Sequence, residues 1–160
     1  MVDPRQAAPT TRTLDPGTLL ALVPQRTPFR FVDEIVEVDE SHIVGRYTFR
    51  DDEFFYTGHF PAKPITPGVI LVETMAQIGL VALGLYLAAV SPAIDEQNLL
   101  VWFTEADVEF TGIVGPGDQV TVSAEKIYFR KLKLKVAAEM TLADGTVVCA
   151  GELAGVGSIS

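Results

Sequence analysis

The chain has 160 residues, 48% of them hydrophobic, and a formal net charge of -9 at pH 7. That length makes one domain with room for a real core, and the composition argues against a disordered chain. The negative charge argues against a general affinity for nucleic acid or anionic lipid. The lone cysteine, Cys149, rules out an internal disulfide and offers no metal site. It fits a reducing, cytoplasmic compartment.

Met1 to Thr13 is polar and carries Arg5 and Arg12 without the apolar core of a secretory signal. It reads as a loose tail ahead of a single domain over 14–160. Leu14 to Leu22 reads as a short helix, with Asp15 as N-cap and Pro16 at the first helical position. Pro24 to Pro28 is a turn. Phe31 to Val38 alternates as a strand, and Ile43 to Phe49 pairs with it across Asp39-Glu40-Ser41.

Phe54 to Pro67 is a loop stiffened by Pro61, Pro64 and Pro67, each of which fixes its own φ and restricts the residue before it. A cis bond within His59-Phe60-Pro61 fits such a loop. An apolar helix is then expected from Gly68 to Ala89, ending at Ser91-Pro92. Its uninterrupted apolar part, Ile78 to Val90, is shorter than the roughly 20 residues of a membrane span. No Lys or Arg cluster anchors it. It reads as a buried core helix with no membrane partner.

Ala93 to Asn98 reads as mobile. Leu99 to Phe110 and Gln119 to Arg130 flank a turn built on Gly115-Pro116-Gly117-Asp118. Leu132 to Leu142 and Thr146 to Gly155 flank Asp144-Gly145, a strong hairpin signal. About six strands, mostly neighbours in sequence, predict an α+β fold: an antiparallel sheet curled around one apolar helix. The sheet covers one side of that helix. A second copy would cover the rest, so a homodimer or a larger assembly of dimers is expected.

Two groups stand out for proton transfer. His59 sits in the stiff loop, and imidazole is the side chain best matched to accept a proton near neutral pH. The other histidine, His42, opens a strand beside Ser41 and reads as structural or solvent-facing. Glu73 is the single carboxylate of the apolar helix, where burial would raise its pKa and keep a proton ready for donation. Gln77 lies four residues on, on the same face, within reach of a hydrogen bond to it. Gly68 and Val69 open the helix, where free N–H groups can hold a developing oxyanion. No metal-ligand spacing, nucleotide-binding glycine loop or serine elbow is present.

The run from Phe54 through Gly58-His59-Phe60-Pro61-Ala62-Lys63-Pro64-Ile65-Thr66-Pro67-Gly68 to Glu73 and Gln77 resembles the signature of the 3-hydroxyacyl-[acyl-carrier-protein] dehydratases. Pro24-Gln25-Arg26-Thr27-Pro28-Phe29, Val32-Asp33 and Val114-Gly115-Pro116-Gly117-Asp118 support the match. Glu73 places it closer to the Glu-containing, dehydratase-only branch than to the Asp-containing dehydratase-isomerases. The resemblance implies a hotdog fold and loss of water from a 3-hydroxyacyl thioester, carried on acyl carrier protein or coenzyme A, with no metal or redox cofactor. His59 would be the base and Glu73 the acid, meeting across the interface of a homodimer that could assemble further into a trimer of dimers. Gly68, Val69, Gln77, Phe60 and Thr66 would bind substrate.

Thr66 stands where the family has Met, and Gln25 where it has His. The segment Glu105-Ala106-Asp107-Val108-Glu109-Phe110 is acidic where the family is basic. Basic charge gathers instead at Lys126, Arg130, Lys131, Lys133 and Lys135. On alternating strand positions Lys131, Lys133 and Lys135 would share a face, either a carrier-docking patch or a solvated surface. Two other readings stay open: a hotdog acyl thioesterase using Glu73 as base, and a non-catalytic acyl-binding subunit.

Overall fold

The computed structural model describes residues 13–91 and 99–159; the expected tail up to residue 12 and the stretch Ala93 to Asn98 lie outside them. The elements in chain order are α1 (Pro16–Leu22), β1 (Glu34–Val38), β2 (His42–Thr48), α2 (Gly68–Ala76), a π-helical segment (Gln77–Ala82), α3 (Leu83–Val90), β3 (Leu99–Phe110), β4 (Gln119–Arg130), β5 (Lys133–Leu142) and β6 (Val147–Ile159).

Asp15 caps α1 as expected, accepting from Thr18 N–H at 2.9 Å and from the Thr18 hydroxyl at 2.7 Å. β1 starts at Glu34 rather than Phe31, because the Phe31 N–H is engaged by the Gln77 side chain instead of a strand partner. The central helix is not one continuous α-helix. A π-helical segment of six residues interrupts it from Gln77, a wider turn of the kind that recurs at functional sites.

The six strands form one antiparallel sheet in the order β1-β2-β4-β5-β6-β3. β3 therefore does not form a hairpin with β4. Both edges of β4 are taken, by β2 and β5, and the free edge left for β3 is that of β6, with Val101 opposite Gly157 and Phe110 opposite Cys149. The Gly115–Asp118 turn thus belongs to a crossover between the outer edge and the middle of the sheet. Lys131 and Leu132 form the tight β4–β5 turn, at φ 49° and 63°. Lys131 accordingly leaves the strand face shared by Lys133 and Lys135.

The sheet curls around the helix, the hotdog arrangement. Residues 74–89 are buried throughout, against Val120, Val122 and Ala124 of β4 and Leu134, Val136 and Met140 of β5. Contact is close enough that a side chain at Gly79 would meet the Ala124 methyl at 3.0 Å. Gly68–Val90 has the length and hydropathy of a membrane span, but 78% of its most apolar window is buried inside this fold. Cys149 faces the core, and burial pushes its thiol up to about 11.

Candidate active site

The loop before α2 fixes His59 by its backbone and its ring. His59 N–H donates to Phe55 O at 3.0 Å, and Ile65 N–H returns to His59 O at 2.9 Å. Phe60 and Lys63 exchange hydrogen bonds at 3.1 and 3.0 Å. The cis bond falls at His59–Phe60, and the two rings stack with centroids 4.1 Å apart. His59 Nδ1 lies 2.8 Å from Ile65 O. A carbonyl only accepts, so Nδ1 carries the hydrogen and Nε2 of the neutral ring keeps its lone pair. The loop thus selects the tautomer that a base acting through Nε2 needs.

Thr66 serves the loop itself. Its N–H donates to Val114 O at 2.8 Å, and its buried hydroxyl meets the Tyr56 phenol at 2.6 Å.

Glu73 lies at the other half of the site. It forms one wall of a cleft of about 230 Å³, with Ala76, Leu80, Val101, Trp102 and Phe103 among the other sides. Burial raises its pKa above the ordinary value, partly offset by a hydrogen bond from Gln77 Nε2 to Glu73 Oε1 at 3.0 Å. Gln77 is itself fully buried. Its Oε1 accepts from Phe31 N–H at 2.7 Å and its Nε2 also donates to Phe29 O at 3.1 Å. The carboxamide cannot flip without losing these partners, so the end presented to Glu73 is always a donor. The acid is therefore oriented by a clamp that also ties the 29–31 segment to the helix.

α2, which carries Glu73, begins at Gly68. Pro67 provides no side-chain cap; its carbonyl accepts from Ile70 and Leu71 N–H at 2.9 and 3.2 Å. Among the described residues, Gly68 and Val69 N–H have no partner, and Val69 is 76% exposed. Phe110 covers Gly68, where an added Cβ would meet its ring at 3.2 Å.

Within one chain, Glu73 and the helix start lie on α2 and Gln77 opens the π-helical segment that continues it, while His59 is not part of the wall of the Glu73 cleft. Phe60 is half exposed next to His59. Of the basic residues, Lys133 and Lys135 bind Glu105 at 3.0 and 3.4 Å, and Lys135 also reaches Glu152 at 3.4 Å. Arg130 lies over the Tyr128 ring at 5.5 Å. Lys131 is exposed and Lys126 partly so. Sequence reasoning did not foresee the backbone of Phe29 and Phe31 as partners of Gln77, nor Gln25 in the cleft wall. The signal that singled out Gln25 was its departure from the His of the family within Pro24-Gln25-Arg26-Thr27-Pro28.

The model of the FabA-like domain matches residues 23–152. The chain belongs to the FabA-like family. Similar to this FabA-like chain are proteins named 3-hydroxyacyl-[acyl-carrier-protein] dehydratase FabZ. That of Caldicellulosiruptor bescii is 37% identical over 137 residues, covering 84% of this chain and 92% of the relative. That of Anoxybacillus flavithermus is 38% identical over 144 residues, covering 88% and 94%. Among solved structures, the dehydratase heterocomplex ApeI:P from Xenorhabdus doucetiae matches with a TM-score of 0.68 at 18% identity, covering 92% of this chain and 93% of that one. A thioesterase from Haemophilus influenzae matches with a TM-score of 0.66 at 16% identity, covering 93% and 94%. At such identities these two likenesses establish the hotdog fold alone.

Proposed function

We propose that this FabA-like chain is a hydro-lyase that removes water from a 3-hydroxyacyl thioester to give the trans-2-enoyl thioester. The observation that carries this reading is Glu73, an acid with raised pKa in an apolar cleft, oriented by a fully bonded carboxamide. Dehydration needs a neutral acid beside a carbon bearing hydroxyl, together with a neutral base for the adjacent C–H.

In this reading His59 Nε2 takes the proton from C2. The electron pair moves toward the thioester carbonyl, whose oxygen is held by the free N–H groups of Gly68 and Val69. As the C2–C3 double bond forms, the C3–O bond breaks and Glu73 gives its proton to the departing hydroxyl. Water, enoyl thioester, an imidazolium and a carboxylate result, and return of the proton from His59 to Glu73 resets the site. Phe60 borders the substrate entrance. Thr66 supports the loop from beneath.

The base and acid meet in a homodimer. β3 is exposed along nearly all its length, Leu100, Trp102, Phe103 and Phe110 included, and Phe60 and Val69 are exposed as well. A long edge strand that exposes Leu100, Trp102, Phe103 and Phe110 demands cover. A second copy pairing there sets His59 of one subunit over Glu73 of the other, and dimers could group in threes. The relatives' names support a carrier-protein thioester as substrate, with coenzyme A as the alternative carrier. Docking falls to Lys126, Arg130 and Lys131, since Lys133 and Lys135 are occupied by Glu105 and Glu152. The buried, unpaired Cys149 accords with a cytoplasmic protein built as one domain over 14–160.

The test is enoyl-thioester hydration, followed by ultraviolet loss of the conjugated double bond, with crotonyl and longer acyl groups on both carriers. Glu73→Gln and His59→Ala should each lower turnover by about 10²–10⁴-fold. Release of free thiol without hydration would replace this reading with hydrolysis.

A further inference from the structure

Gln25 lies in the turn between α1 and β1, and its side chain forms part of the wall of the Glu73 cleft. Its Oε1 is the one buried side-chain polar atom without a hydrogen-bond partner among the described residues. The backbone around it is held firmly. Arg26 donates to the carbonyls of Val23 and Gln25, Arg30 Nη2 donates to Leu20 O at 3.0 Å, and Gln77 holds Phe29 O at 3.1 Å. A buried carboxamide oxygen with no donor destabilises the free protein, and on a residue that lines a cleft it calls for a ligand that supplies one.

We propose that the Gln25 carboxamide binds the 3-hydroxyl of the acyl substrate and so separates hydroxylated acyl groups from saturated ones; this rests on the dehydratase reading. A hydroxyl is both donor and acceptor. Glu73 Oε1 is engaged by Gln77, so the acid's proton resides on Oε2 and is donated to the hydroxyl oxygen. The hydroxyl's own hydrogen then needs an acceptor in an otherwise apolar cleft. Gln25 supplies it, its carboxamide turning about a soft last torsion to present the oxygen. Held at both ends, the C3–O bond is set in one direction before it breaks. The departing water keeps the Gln25 contact as it leaves.

The experiment uses two pantetheine amides of equal chain length, one 3-hydroxyacyl and one saturated, as inhibitors of enoyl-thioester hydration. Wild type is expected to bind the hydroxylated amide about tenfold or more tightly than the saturated one. Gln25→Leu and the near-isosteric Gln25→Met should bring that ratio to near one while leaving the saturated amide's inhibition constant unchanged. Gln25→His, which keeps a ring acceptor, should recover part of the ratio. An unchanged ratio in Gln25→Met would overturn the proposal, as would a wild-type ratio near one. So would dissociation of the assembly by Gln25→Met with the ratio intact, which would make Gln25 an interface residue. Wild type that hydrates enoyl thioesters but fails these comparisons sinks only the role of Gln25; wild type that hydrates nothing sinks the dehydratase reading with it.

Discussion

Glu73 concentrates the chemistry of this chain in one ionisation. Burial raises its pKa above the ordinary 4.5, so the folded protein keeps that proton to a higher pH than the unfolded chain does. Between the two values the native state binds more protons, and stability falls as pH rises through the window. Below the window the contribution is fully present. Glu73→Gln, neutral at every pH, escapes this loss. Its thermal midpoint should therefore exceed that of wild type by more at pH 8 than at pH 4; a gap that stays flat with pH would mean the carboxyl is not held neutral. Dehydration should show the same sign, declining as pH climbs past the raised value and the acid is lost. His42 is a contrasting case. It is raised by its hydrogen bond to Glu37 and by Asp39 at 2.9 Å, on an exposed strand end. Its effect is confined to a small stabilisation that fades above the ordinary imidazole range, with no part in turnover.

Among the elements, the junction of α2 and the π-helical segment joins stability to function. Gln77→Leu would strip the partners from Phe31 N–H and Phe29 O at once, at a cost of about 2–4 kcal/mol. Urea titration should reveal that loss, and the variant's remaining folded fraction should turn over poorly because Glu73 is no longer oriented. Full stability in Gln77→Leu would show that the clamp is dispensable. This junction also marks the limit of what could be read from the chain. The loop prolines, the apolar run and the Glu73–Gln77 spacing were legible because each acts on its immediate neighbours. The crossover of β3 was not, because a turn signal such as Gly115-Pro116-Gly117-Asp118 says where a chain reverses and nothing about which edge it then joins. Lys131 misled for a similar reason: alternation predicts a shared face only while the chain remains a strand, and residues 131 and 132 turn in the left-handed region. The partners of Gln77 are main-chain groups, which carry no residue-type signature at all.

At the scale of the whole molecule, the bare edge of β3 and the separation of His59 from the Glu73 cleft predict that assembly and activity fail together. Phe103→Glu places a charge on a large side chain at the sheet edge that also lines the Glu73 cleft. Sedimentation should show monomers, and hydration should vanish although Glu73 and His59 are both intact. An active monomer would require a route for His59 to Glu73 within one chain. Mixing His59→Ala with Glu73→Gln should restore about a quarter of wild-type turnover per total site if the two exchange randomly into mixed dimers, since one of the two sites in each mixed dimer keeps both groups.

The π-helical segment amounts to one surplus residue in an otherwise α-helical rod. Deleting a residue between Ile78 and Ala82 would tighten it to an α-turn, keeping the faces beyond nearly in register with Glu73 but removing the wide turn that begins at Gln77. No half-measure exists, because chain length changes only in whole residues. In evolutionary terms the α-helical parts on either side are closed to insertions and deletions, each of which would rotate the face beyond by about 100°, while remaining open to substitution. A lineage adapting to other acyl chains would change the identity of side chains from Leu80 to Leu87 and leave their number alone. Homologues that share the segment should therefore align with this chain without a gap from Glu73 to Val90, however far their sequences have diverged.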